Sequence, residues 1–261
     1  MRLSKIGYPL SMLAALLTIL LNIIWTLVSG SSRDFVTIAG VLMFALASTL
    51  HAYTRFGSQF AIRLLATVLP LTLAIEILGV STGFPFGEYK YDMLRLGPTA
   101  AGVPFLIPFA WMMMIYPASL VAREFKQRPL LTVFIGGLLM ATWDLFLDPQ
   151  MVNEGYWTWF SAGSPVSEIP ISNFLGWFTA ASFVLWLTSK TIPENLWLSK
   201  QPSSYVAQAP YVSIMWVWLG SFLANIVPIS PFLAQPLVAI QGFVGMGFVL
   251  IPWSRQRWSA R

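Results

Sequence analysis

Apolar runs of nearly membrane-spanning length recur along this chain between short polar stretches, and they limit its fold more tightly than any other feature. A helix needs about 20 apolar residues to cross the hydrocarbon core of a bilayer. Its backbone polar groups must be satisfied inside it, because lipid offers them no partner. The spans read as Pro9 to Ser29, Phe35 to Ala52, Ala61 to Val80, Gly102 to Ala122, Leu130 to Leu147, Ile171 to Thr188, Pro210 to Val227 and Phe232 to Trp253. The expectation is an all-α fold, a polytopic transmembrane helix bundle of about eight spans. It would form a single integral membrane domain over residues 1–261, with a motif-bearing core over residues 76–177. Composition agrees, since 10% of residues are charged against about 25% in soluble domains. The second span is short, and prolines in or beside the last two leave one of them a candidate re-entrant segment. The basic N-terminus resembles a signal peptide, but its apolar run is longer than the usual one and reads as a retained first span.

The same composition removes several chemistries. There is no cysteine, which excludes disulfides, thiolate nucleophiles and iron–sulfur clusters. A single histidine, His51, cannot build a histidine-box oxygenase and reads as packing or interfacial. The net charge of +5 comes from scattered inter-helix residues, so no nucleic-acid partner is expected. Those residues carry topology instead. With the N-terminus inside, every Lys and Arg except Arg33, Lys90 and Arg95 falls on one face, which predicts both termini cytoplasmic.

Acidic residues show the opposite bias: Asp34, Glu88, Asp92, Asp148, Glu154 and Glu168 fall on the far face. Acidic charge does little to set topology, so this bias points to function in the two long far-side connections. The first reads EILGVSTGFPFGEYKYDMLRLGPTAAGVPFLIP, from Glu76 to Pro108. Its glycines and prolines predict a bent, backbone-shaped lining around Glu88, Tyr89, Lys90, Tyr91 and Asp92. The second reads ATWDLFLDPQMVNEGYWTWF and continues to IPISNFLGWF. There Asp144 and Asp148 share one helix face, separated by roughly 6 Å of rise. Pro149 predicts that this helix ends near Asp148.

Glu76 and Asp144 thus lie at similar depth in different spans. An ionisable group inside a span is costly and is a functional hypothesis by default. Desolvation favours the neutral carboxyl, which is the form a general acid needs. The competing reading is structural: either residue bonds a neighbouring helix or pairs with Lys90 or Arg95. Most tryptophans read as an interfacial belt. Trp143, Trp157, Trp159 and Trp177 differ because they flank the acids, where aromatic faces suit a polyene channel and a carbocation. The glycines Gly242, Gly245 and Gly247 read as helix packing.

The stretches GVSTGFPFGEYKY, GVPFLIPFAW, WDLFLDPQM, GYWTW and IPISNFLGW together resemble the CruF-type carotenoid hydratases, a carotenoid biosynthesis protein family. The resemblance implies addition of water to the terminal carbon–carbon double bond of an open-chain carotenoid end, giving a tertiary alcohol. The substrate would be an apolar carotenoid of γ-carotene or lycopene type, or a long archaeal carotenoid. Membrane lipid and other carotenoid-pathway enzymes are the implied partners, in a bacterial plasma membrane or a thylakoid-type membrane.

Protonating a trisubstituted alkene places positive charge on its tertiary carbon, which water then attacks. Such a lyase needs no cofactor and no metal. Glu76 or Asp144 is the expected proton donor, with Asp148 or Asp92 positioning water. Tyr89, Tyr91, Trp111, Trp143, Trp157, Asn173 and Trp177 form the expected substrate-binding set. Two other classes remain open. Asp144-x-x-x-Asp148 also resembles the magnesium-binding spacing of intramembrane isoprenoid transferases, and a carotenoid cyclase shares the proton-initiated step. A non-catalytic lipid or pigment transporter is the third reading.

Overall fold

The computed structural model describes residues 2–163, 169–198, 205–226 and 235–259. Glu168 and the span ends Val227 and Phe232 lie outside these residues. The described residues hold eight helices long and apolar enough to cross a membrane, so the chain is a polytopic helical membrane protein. They are α1 (Arg2–Trp25), α2 (Gly30–Phe56), α3 (Ser58–Thr82), α4 (Leu106–Glu124), α5 (Pro129–Asn153), α6 (Ile171–Thr191), α7 (Ala209–Ile226) and α8 (Pro236–Ser259). The second helix is not short: Gly30 to Phe56 is continuous, because polar Ser31, Ser32, Arg33 and Asp34 form its first turn rather than a loop. Each of the last two helices is long and apolar enough to cross a membrane.

The helix α4 is the core of the bundle, with every residue from Trp111 to Ala122 buried. Helices α2, α3, α5 and α6 pack around it, and α8 closes against α5. That last contact depends on missing side chains. A Cβ at Gly242 would meet the Phe146 ring at 2.6 Å, and one at Gly245 would meet Thr142 at 2.9 Å. Packing at small residues is how membrane helices approach closely without a hydrophobic driving force between them.

Helix α5 does not stop at Asp148. Pro149 cannot donate to the Leu145 carbonyl, yet the helix continues to Asn153. The added turn is held from outside: Tyr156 N–H donates to Met151 O at 3.0 Å, and the Glu154 carboxylate is paired with Arg33. This extension changes depth. Asp148 lies about one and a half turns from the end of α5, as Glu76 does from the end of α3. Asp148, rather than Asp144, is therefore level with Glu76.

The long connections are not loops alone. After α3 is terminated by Gly83 in the left-handed conformation, the strand β1 (Tyr89–Tyr91) pairs antiparallel with a later strand. A tight ribbon of β2 (Thr99–Ala100) and β3 (Val103–Pro104) leads into α4. The partner of β1 is β4 (Trp157–Trp159), in register Tyr89 with Trp159 and Tyr91 with Trp157. The two connections that stand out by composition are thus one structure.

Candidate active site

Strand side chains alternate between faces, and this decides what the β1–β4 ribbon presents to the bundle. Tyr89, Tyr91, Trp157 and Trp159 project inward, while Lys90 and Thr158 are exposed. The phenols of Tyr89 and Tyr91 donate to Glu76 Oε2 at 2.6 and 2.9 Å. The Trp111 indole of α4 donates to Glu76 Oε1 at 2.8 Å. Trp157 Nε1 donates to Asp148 Oδ1, as does Trp159 at 3.1 Å. One ribbon therefore feeds two carboxylates on two helices. Burial, reinforced by the Glu76 carboxylate, pushes both phenols up from their ordinary range, so they remain donors at neutral pH.

Room for this arrangement comes from two helical glycines. A Cβ at Gly79 of α3 would lie 2.7 Å from the Tyr89 hydroxyl, and one at Gly176 of α6 would lie 2.7 Å from the Pro85 carbonyl. Between them Phe86 enters the bundle, 2% exposed. Its ring stands edge-on to Tyr89.

Asp144 joins from one turn deeper. The Asn173 amide of α6 donates to Asp144 Oδ2 at 2.6 Å and to Asp148 Oδ2 at 2.7 Å. A single NH₂ group thus clamps both aspartates, and each of the three groups is at most 3% exposed. Asp144 Oδ1 is buried with no hydrogen-bond partner among the described residues. Among the described residues no group of three or more His, Asp or Glu side chains is placed to hold a metal ion.

Glu76, Asp148, Asn173, Tyr89, Tyr91, Trp111, Trp157, Trp159 and Trp177 line one narrow cavity of about 70 Å³. Several water-sized groups fit in such a space. Trp177 stacks on Trp111 with centroids 4.3 Å apart and rings 9° from parallel. Trp143 meets the edge of Trp177 at 5.9 Å from outside the cavity. On the other side of Asn173, Asp144 lines a wider groove of about 660 Å³ between α5, α6 and α8. The site therefore lies between two spaces, and Asn173 borders both.

A family model for carotenoid biosynthesis proteins matches residues 35–241. The chain belongs to the carotenoid biosynthesis protein family. It is also 30% identical over 120 residues to a bisanhydrobacterioruberin hydratase of Haloarcula japonica, a match covering 43% of this chain. That match spans 39% of the relative's own length. No solved structure matches.

Within this family member, most of the acids and aromatics singled out from sequence converge, with corrections. Glu76 and Asp144 are not the pair that shares the cavity, because α5 runs past Pro149 and brings Asp148 level with Glu76. Asp92 is not brought in: its Oδ1 accepts from Leu94 N–H at 2.8 Å, capping a turn. Asp92→Asn keeps that acceptor and is expected to leave product yield within about twofold, as for a change remote from the site; a large drop on chromatographic assay would return Asp92 to it. Lys90 lies over the Phe160 ring, away from the acids. Arg95 serves neither Glu76 nor Asp144 but binds Asp34, with its Nη2 at 2.6 Å from Oδ1. His51 is fully buried and bonds the Tyr116 hydroxyl and the Ala207 carbonyl, outside the acid-lined cavity.

Two features escape the sequence reading. The ribbon was detectable as YKY and WTW, two runs of period two in which aromatics alternate with polar residues. The anchor of Arg33, Glu154, Arg95 and Asp34 ties the α1–α2 end to both motif connections. Nothing in residue spacing marks it.

Proposed function

We propose that this protein is a carotenoid hydratase, adding water across the terminal double bond of an acyclic carotenoid end group to give a tertiary alcohol. The observation that carries the reading is the placement of Glu76 and Asp148 on one narrow, aromatic-lined cavity, each fixed by donors from the same ribbon. The relative's hydratase activity supports it.

Three acids divide the work by their neighbours. Glu76 and Asp148 each accept three hydrogen bonds, but Asp148 shares the Asn173 amide with a second carboxyl and Glu76 is held by neutral donors alone. Its role is a fixed negative charge. Two carboxyls clamped by one amide in a buried site are disfavoured as a doubly charged pair, so Asp144 and Asp148 hold a proton between them. Asp148 lines the cavity and delivers that proton to the less substituted alkene carbon. The π bond is consumed and positive charge develops on the tertiary carbon.

Glu76 and the rings of Trp111, Trp177 and Tyr91 stabilise that charge. Water forms the carbon–oxygen bond, and its surplus proton returns to the aspartate pair. Asp144, whose Oδ1 is uncommitted, orients water arriving from the α5–α6–α8 groove. One carbon–hydrogen and one carbon–oxygen bond replace the π bond and a water O–H bond, so no electrons are exchanged with a cofactor.

The test is expression in cells that accumulate lycopene or γ-carotene, with extracts separated by chromatography and weighed by mass spectrometry. A product heavier by one water is expected. A cyclised isomer of unchanged mass would instead identify a cyclase, and pigment retained without any product would support a transporter. Transfer of a diphosphate-borne isoprenoid is disfavoured by the cavity itself, which among the described residues no Lys or Arg lines.

A further inference from the structure

A third, largely apolar space of about 400 Å³ lies between α1, α2, α5 and α7. It adjoins the acid-lined cavity, since Thr37, Val41, Met113, Leu147 and Met151 line both. Along α1 its wall runs from Thr18 to Thr26, a rise of about 12 Å. Its outer edge carries Ile23 and Leu223, 45% and 50% exposed, so the cleft opens on the lipid-facing surface between α1 and α7.

Two indole N–H groups in its walls are satisfied by other wall residues. Trp25 Nε1 donates to Thr37 Oγ1 at 2.8 Å, and Trp216 Nε1 donates to Asn22 Oδ1 at 3.0 Å. Its lining includes the aromatic side chains Trp25, Phe44, Trp143 and Trp216, with Gly40 on the α2 wall. A Cβ at Gly40 would make only ordinary contacts, at 3.7 Å from Asn22 and 3.9 Å from Leu21.

We infer that this cleft is the binding site for the conjugated chain of the substrate, which enters end-first from the lipid between α1 and α7 and places its terminal alkene between Glu76 and Asp148. The inference rests on the hydratase reading for what happens at the tip, but the cleft stands on its own geometry. An apolar chain coming from lipid gains little from burial alone, because lipid tails are as apolar as the cleft. Shape must do the selecting. Walls rich in rigid aromatic side chains, beside two carboxylates, fit a straight, planar polyene better than a flexible acyl chain. The cleft then sets reach: it holds the chain while the acids meet only its end.

The probes are lycopene, which must occupy both spaces, and geraniol, which carries the same terminal alkene group on a chain too short to span both. Ala224→Trp and Gly40→Leu each fill the outer cleft from a different helix. In the full-length protein, both are expected to lose lycopene hydration and co-purified pigment by at least about tenfold. Geraniol hydration should stay within about twofold, since the inner cavity is untouched. Asp148→Asn should lose hydration of both probes while keeping pigment.

Folding of every variant is checked by size exclusion and tryptophan fluorescence, and having two independent plugs guards against the failure of one. Folded plugged variants that keep their pigment overturn the assignment, whatever lipid they shed. So does parallel loss of geraniol and lycopene hydration. If the parent protein hydrates neither probe yet loses pigment on plugging, the cleft stands and the hydratase reading falls.

Discussion

Replacing Asp148 by Asn is expected to cut hydroxycarotenoid formation by about 10²- to 10⁴-fold, the usual contribution of a positioned acid–base group, without unfolding the protein. The carboxamide is isosteric, and its oxygen can still accept from Trp157 and Trp159. What it cannot do is carry and return the proton. Its NH₂ group would also face the Asn173 NH₂, which now bonds Asp148 Oδ2, so a modest loss of stability of about 1–3 kcal/mol accompanies the change. Product quantified against pigment bound separates the two effects. Wild-type yield from Asp148→Asn would remove it from the chemistry.

Glu76→Gln is the second large effect, and its signature differs. Glu76 accepts from two phenols and an indole, so an amide there must turn a donor toward at least one of them. The indole cannot reverse its role, since Nε1–H only donates. Loss of the fixed charge opposite the developing cation is expected to lower turnover by about 10²- to 10³-fold, the range for removing one preorganised electrostatic group. Because Glu76 does not carry the transferred proton, Glu76→Asp should recover part of the activity, whereas Asp148→Glu should not. Equal recovery in both would mean that the two acids are interchangeable and that the division of labour drawn here is incorrect.

The membrane bundle was legible because lipid imposes one rule on every span, and eight apolar runs obey it. Span ends were less so. Ser31 to Asp34 look like a loop but begin α2. Pro149 looks like a stop, yet contacts made by Glu154 and Tyr156 carry α5 beyond it. That single turn moved the partner of Glu76 from Asp144 to Asp148. Composition of the two connections identified the acids and aromatics. Their pairing did not emerge, because it depends on strands more than sixty residues apart in sequence, Tyr89 with Trp159 and Tyr91 with Trp157. Asn173 was named for the motif around it, but its clamp on two aspartates is a property of the packed helices α5 and α6. Asp92 shows the reverse case, an acid of promising neighbourhood whose side chain caps its own turn.

The origin of the added atoms tests proton-initiated hydration most directly. Purified protein supplied with lycopene in oxygen-labelled heavy water should yield a tertiary alcohol whose oxygen comes from water. One non-exchangeable deuterium should sit on the neighbouring carbon, and Asp148→Asn should show neither. An alcohol whose oxygen derives from molecular oxygen, or one without deuterium beside it, would contradict delivery of a proton from the aspartate pair.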